Sequence, residues 1–306
     1  MKTFSIKDLE NLCNVKAHTI RVWEKRYGVF HPQRTAANAR RYTTDDLTKL
    51  LALVLLKGSG YKISTVATLS STAMQQHIVG LTRPDERIQG AVHELITCMY
   101  TLNVAGFENV LDTSFLSLPA DAVVKQIIYP FLEKTGLLCQ GKRLSEEHFA
   151  VTAIRKKLYW SIQRSVARKK NGKTMLLFLS GERQLDLLLL YAYYLLESAG
   201  WNVIHLGGDV TAKNIEDFLR LQKVDCLLTY FVRKPVLSLS DLSDTVENLA
   251  PEARLIVLKA QNCFLAEVKG NVTALDTGSE LEEFISPPEK EDKPIAKDSP
   301  RLMMAL

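Results

Sequence analysis

Apolar positions along the first 75 residues keep a helical period in short stretches. In SIKDLENLC, Ile6, Leu9, Leu12 and Cys13 share one face, and Ser5 with Asp8 three residues on makes a capping-box start. The turn NVK separates it from AHTIRVWEKRYG, where Ala17, Ile20 and Trp23 face inward and Gly28 ends the helix. Two short helices joined by a tight turn predict a helix-turn-helix, whose second helix is shaped to enter a DNA major groove. VFHPQRTAANARRY then reads as a small β-wing closed by Tyr42. TTDDLTKLLALVLLKGSG is a third helix, capped by Thr43 with Asp46, and GYKISTVATL a fourth after the Gly58–Gly60 break.

The pattern stays helical over residues 84–168. DERIQGAVHELITCMYTLN, VAGFENVLDTSFLSL, PADAVVKQIIYPFLEKTGLLCQG (opened by Pro119) and SEEHFAVTAIRKKLYWSIQRSV predict a four-helix bundle. From Lys173 the period changes. The strands TMLLFL, WNVIHLG, VDCLLTYF and ARLIVLK, with NVTAL as a short edge strand, alternate with helical stretches. That alternation predicts a parallel sheet with helices on both faces, which holds ligands beyond its strand C-termini. SGERQLD, Ser180 to Asp186, occupies that place after the first strand. The expected fold class is therefore multidomain, α plus α/β. It comprises a winged helix-turn-helix over 1–75, a four-helix bundle over 84–168 and a flavodoxin-like (Rossmann-like) parallel sheet over 173–285. Ser165–Lys173 reads as a solvated linker, and the Pro- and Lys-rich residues 286–306 as a disordered tail.

Charge sharpens this picture. Residues 1–75 hold twelve Lys and Arg against five Asp and Glu, a net +7, which leaves −2 on the rest of a chain whose total is +5. A basic module on a near-neutral body suits a polyanionic partner. The five cysteines are scattered, with no C-x-x-C pair, which excludes a disulfide framework or zinc site and fits a reducing cytoplasm. No metal site is expected. No N-terminal apolar stretch resembles a signal peptide, and no apolar run approaches membrane-spanning length.

FSIKDLENLCNVKAHTIRVWEKRYGVFHPQRTAANARRYTTDDLTKL resembles the winged helix-turn-helix of bacterial MerR-family transcription regulators. The resemblance is carried by Thr19-Ile20-Arg21-Val22-Trp23-Glu24-Lys25-Arg26-Tyr27-Gly28 and by Arg40-Arg41-Tyr42 at the wing end. It implies double-stranded promoter DNA as partner, with RNA polymerase beside it and a location on the nucleoid. His18, Thr19 and Arg21, near the start of the recognition helix, are candidates for base edges or phosphates. Arg26, Tyr27, Arg34, Arg40 and Arg41 are candidates for backbone phosphates. Tyr42 either donates its hydroxyl to a phosphate or packs the wing onto the core. Trp23 reads as core, and Glu24 as the partner of a wing arginine. No long heptad helix follows residue 69, so a homo-oligomer, dimer or tetramer, would assemble through the later domains.

Those later domains resemble cobalamin-binding modules. Glu147-His148-Phe149 matches the family's E-H-[LF] in the helical cap, and GERQLDLLLLYAYYLLESAGWNVIHLGGDV follows its Rossmann-like pattern. The resemblance implies Cys139, Glu147, His148, Glu182, Gln184 and Thr229 as cofactor-facing positions, and as its alternative a cobalamin-dependent, light-responsive repressor. Four features depart from it. Cys139 stands where the family has the tryptophan over the corrin, and the next residue, a histidine in light-sensing members, is Gln140. The axial histidine is replaced by Gln184 in Glu182-Arg183-Gln184, and an amide has no basic nitrogen for cobalt. His205, on a buried strand, is a poor substitute. Thr229 and Phe231 occupy the tail-binding Ser-x-Thr, and Lys259-Ala260 the Gly-Gly. The expectation is a regulator that keeps the fold without tight cobalamin binding. Both Glu147 and His148 also read as a plain helix N-terminus. No clustered His/Asp/Ser arrangement points to an enzyme.

Overall fold

The computed structural model describes residues 2–36, 38–137, 145–165, 170–180, 186–231, 237–259, 272–276 and 279–285. Helices α1 (Ile6–Cys13) and α2 (Ala17–Tyr27) form the helix-turn-helix. Both halves of the expected capping box are made, Asp8 N–H to Ser5 Oγ and Ser5 N–H to Asp8 Oδ2. Asn14 closes α1 in the left-handed region at φ 54°, which an Asn side chain tolerates. Gly28 closes α2 at φ 60°, a conformation strained for any residue with a Cβ. The wing pairs β1 (Gln33–Arg34) with β2 (Arg40–Arg41) antiparallel, Gln33 opposite Arg41. The chain start is tied to it, because Phe4 and Tyr42 exchange backbone hydrogen bonds of 2.8 and 2.9 Å.

Helix α3 (Thr44–Gly58) carries the second capping box, Thr43 with Asp46. The expected fourth helix contracts to one turn, α4 (Ile63–Val66), and a further helix, α5 (Ser71–Val79), follows. Only Met74 of α5 is buried, so its hydrophobic pattern is too thin to announce it.

The bundle consists of α6 (Pro84–Tyr100), α7 (Val104–Ser117), a composite third helix and α10 (Ser145–Ser165). The third runs as α8 (Ala120–Val123), a π-turn over Val124–Ile128, and α9 (Tyr129–Thr135). The expected uninterrupted helix does not form because Pro130 has no N–H for a helical bond, and the preceding turn widens.

The α/β domain comprises β3 (Thr174–Phe178), α11 (Asp186–Ser198), β4 (Asn202–Gly207), α12 (Ala212–Leu221), β5 (Cys226–Phe231), α13 (Leu239–Leu249), β6 (Arg254–Lys259), β7 (Val272–Asp276) and α14 (Ser279–Ile285). All neighbours are parallel, in the order β4-β3-β5-β6-β7. This is the flavodoxin-like order, with its switch point between β3 and β5. Alternate residues divide the sheet between two cores. Met175, Leu177 and Leu228 join α11, the bundle and the helix-turn-helix in one continuous apolar cluster reaching Phe4. Leu176, Phe178 and Leu227 pack against α12 and α13.

The linker expectation is corrected at Lys170. Its ammonium binds the buried Glu197 carboxylate and donates to the Trp201 carbonyl at 2.9 Å, so it anchors the sheet rather than lying in solvent. The tail, residues 286–306, lies outside the described residues.

Candidate nucleic-acid interface

Helix α2 buries Ile20 and Trp23, 0% and 6% exposed, against α1 and α3. That anchorage turns the rest of α2 outward. His18 is exposed and Thr19 half-buried in the first turn, and Arg21 is exposed a turn from the start. Arg26 is exposed near the C-terminus and lies over the half-buried Tyr27 ring, 5.4 Å from its centroid. On the wing, Arg41 is exposed, and Arg34 is exposed with a guanidinium nitrogen donating to Asn38 Oδ1 at 2.7 Å. Asn38 sits at φ 59°, and Thr35 N–H donates to the Ala39 carbonyl at 2.9 Å.

Two of the nine candidates point inward. Tyr42 is 0% exposed and donates its hydroxyl to Glu24 Oε2 at 3.0 Å. Burial, then the Glu24 hydrogen bond and charge, push its pKa well above the usual phenol value. A side chain so enclosed cannot reach a phosphate; it packs the wing onto α2, with its ring edge-on to Phe30. Arg40 is half-buried and donates through Nε to both Glu24 oxygens, at 3.1 and 3.2 Å. One carboxylate thus fastens two wing residues to the recognition helix. Arg21, Lys25, Arg26 and Arg41 stay exposed outside this clamp.

The second candidate site divides differently. Cys139, Gln140, Glu182 and Gln184, with Ala260, lie outside the described residues. Glu147 is half-buried and His148 exposed on the first turn of α10, while Phe149 meets the Phe107 ring at 5.5 Å. Thr229 is buried with its hydroxyl unpartnered, and strand alternation turns it toward the α12–α13 face, away from the bundle. His205 packs against the Tyr193 ring at 5.5 Å; its Nε2 is unpartnered, and burial lowers its pKa. The bundle and the sheet's first helix touch directly. Arg155 on α10 pairs with Asp186 on α11, Tyr129 and Tyr191 rings lie 5.8 Å apart, and Lys125 reaches Glu282 at 3.2 Å. Among the described residues, no group of three or more His, Cys, Asp or Glu is placed to hold a metal ion. None of their helices is long and apolar enough to cross a membrane.

Comparison with known proteins agrees with this layout. Residues 4–72 match the family described as MerR HTH family regulatory protein. Over 222 residues the chain is 26% identical to the HTH-type transcriptional repressor CarH of Myxococcus xanthus, covering 70% of this chain and 74% of that protein. It is 24% identical over 253 residues to the repressor CarA of the same organism, covering 81% and 84%. It is 25% identical over 179 residues to the regulator MlrA of Escherichia coli K12, covering 58% and 68%. Among solved structures, the monomethylamine corrinoid protein of Methanosarcina barkeri superimposes with a TM-score of 0.51 at 16% identity, over 69% of this chain and 97% of that one. Residues 4–72 thus form a MerR-type helix-turn-helix domain. The bundle and sheet share the fold of that corrinoid protein.

Proposed function

We propose that the protein recognises promoter DNA by laying α2 in the major groove while the wing straddles the adjacent backbone. The observation that carries this is the Glu24 clamp: it fixes wing and helix as one unit, leaving Arg21, Arg26 and Arg41 exposed beside it. His18, Thr19 and Arg21 then read bases or phosphates from the helix start, and Arg26, Tyr27, Arg34 and Arg41 hold phosphates. RNA polymerase is the neighbouring partner at such a promoter.

One winged module makes few contacts, and paired half-sites raise affinity through effective concentration. The bundle supports self-association. Leu116 is 89% exposed, beside Phe115, whose ring meets the exposed Trp160 at 5.9 Å. Tyr159 is exposed next to it, an apolar and aromatic patch on α7 and α10 suited to a second copy.

The C-terminal module serves as scaffold without tightly held cobalamin. Gln184 has no basic nitrogen, and the one imidazole on the sheet, His205, is covered by Tyr193 of α11. The residues do not fit a cobalt ligand, and α10 rests on α11 through Arg155 and Asp186.

The test selects operators from a random duplex library, then mixes the protein with adenosylcobalamin in the dark and desalts it. Arg21→Ala is expected to cost about 1–3 kcal/mol at one base position. Arg41→Ala is expected to weaken all sequences alike and lower the salt slope by about 1. The desalted protein is expected to be colourless. Unchanged operator affinity in both variants overturns the DNA reading; a retained corrin spectrum that bleaches or shifts on illumination makes the protein a cobalamin sensor.

A further inference from the structure

A cavity of about 810 Å³ lies where α3 and α5 of the DNA-binding end meet α6 and α7 of the bundle. That volume falls within the range of about 300–1,000 Å³ typical of small-molecule sites. Each helix supplies apolar lining, Leu51 and Leu55 from α3, Ile78 from α5, Ala91 from α6 and Val110 from α7, and polar side chains share the walls. One polar side chain stands apart from the rest. His93 is 4% exposed, lines the cavity, and has no hydrogen-bond partner on either ring nitrogen. The Leu51 carbonyl lies near enough to draw its pKa slightly upward, but outside hydrogen-bond geometry. Burial and the Lys134 charge outweigh it, so the imidazole is neutral, with one donor and one acceptor to offer.

Three hydroxyls of the lining are already committed as donors. Ser114 and Ser117 donate their hydroxyl hydrogens back to the Val110 and Thr113 carbonyls, each at 2.7 Å, and Thr101 donates to the Thr97 carbonyl at 2.8 Å. Only lone pairs of these oxygens remain for an occupant. Glu86 and Glu94 also line the cavity against the single cation Arg87, which disfavours an anion.

We propose that this cavity binds a mainly apolar, uncharged or cationic small molecule bearing an N–H or O–H donor directed at His93, and that its occupancy shifts DNA affinity. The coupling has a direct mechanical basis. The ligand would touch α3, whose Leu47 and Leu50 pack in the same core as Ile20 and Trp23 of α2, and at once touch α6 and α7. A ligand filling the joint favours one placement of the DNA-binding end on the bundle over others.

Two dyes of one skeleton test the site in the full chain without DNA. N-phenyl-1-naphthylamine is neutral and apolar with a single N–H; 8-anilino-1-naphthalenesulfonate adds an anionic sulfonate. The first is expected to bind saturably at one site per chain, and the second at least tenfold more weakly. His93→Leu, which removes the acceptor, should weaken the neutral dye about tenfold. Ala52→Phe on α3 and Ala91→Phe on α6 fill the cavity from half-buried positions and should each abolish its binding, with circular dichroism confirming the fold. Non-saturable binding, equal binding of both dyes, or unchanged affinity in the folded variants overturns the site. The coupling rests on the proposed DNA binding and is measured separately: saturating neutral dye should change operator affinity about fivefold or more. Dye binding that leaves operator affinity unchanged overturns the coupling, whereas a failure of operator selection leaves the dye titration to stand or fall alone.

Discussion

Removing the Glu24 carboxylate should loosen the wing from the recognition helix without unfolding the chain. In Glu24→Ala the Tyr42 hydroxyl, on a side chain 0% exposed, loses its acceptor. An orphaned buried donor costs about 1–3 kcal/mol. Arg40, with its side chain 30% exposed, loses a pair whose worth after solvent screening is about 1 kcal/mol. The sum is about 2–4 kcal/mol of local stability. Glu24→Gln keeps an oxygen for Tyr42 and should cost about 1 kcal/mol. Tyr42→Phe leaves no donor stranded and lets Glu24 keep Arg40, so it too should cost about 1 kcal/mol or less. The Phe4 and Tyr42 amides, bonded to each other's carbonyls, report this opening by hydrogen exchange. At tenfold per 1.36 kcal/mol, Glu24→Ala should lower their protection about 30- to 900-fold. In a Tyr42→Phe background the same change should cost less, since the two residues share one interaction. Unchanged protection in Glu24→Ala refutes the clamp. Tyr42→Phe that keeps its protection yet loses DNA affinity would mean that the hydroxyl serves the nucleic acid instead.

Two further predictions concern buried charge, and a third the exposed patch on α7 and α10. Burial and Lys134 lower the His93 pKa to about 4 from an ordinary 6.5. The unfolded chain therefore takes up the proton first as pH falls. The stability His93 contributes is complete above about pH 6.5 and is lost on descending toward pH 4. About 3 kcal/mol is at stake. Urea unfolding across that window should be flatter in His93→Leu than in the wild type; parallel slopes would remove His93 from the account. Lys170→Met should strand the buried Glu197 carboxylate and destabilise the sheet by about 3 kcal/mol, read as a lowered Tm, while Lys170→Arg should be much milder. Leu116→Glu with Trp160→Glu should shift sedimentation toward the monomer if α7 and α10 carry self-association; an unchanged profile places the contact elsewhere.

Much of the fold was legible because it is encoded locally. The boxes at Ser5–Asp8 and Thr43–Asp46 and the stop at Gly28 depend on residues three or four apart, and each stands where its letters placed it. The change from helical period to alternating strands and helices announced the parallel sheet for the same reason. The inward turn of Glu24 toward a wing arginine was also readable, since a lone acid among so many cations has few other partners.

Tertiary structure decided what depends on distant neighbours. Whether Tyr42 faces DNA or core follows from the Phe4 strand and Phe30 closing over it, contacts that no spacing around residue 42 reveals. The extra helix at Ser71–Val79 came from packing against a weak local pattern. His93 reads in sequence as one more position on an amphipathic helix. Only the meeting of α3, α5, α6 and α7 leaves its imidazole buried, unpartnered and facing an open volume. Capping and periodicity are properties of a few consecutive residues, so the sequence alone determined most of the elements and their class. Burial, pairing and cavities are properties of surfaces brought together across the chain, so only the assembled structure determined which charges stay exposed and where a cavity opens.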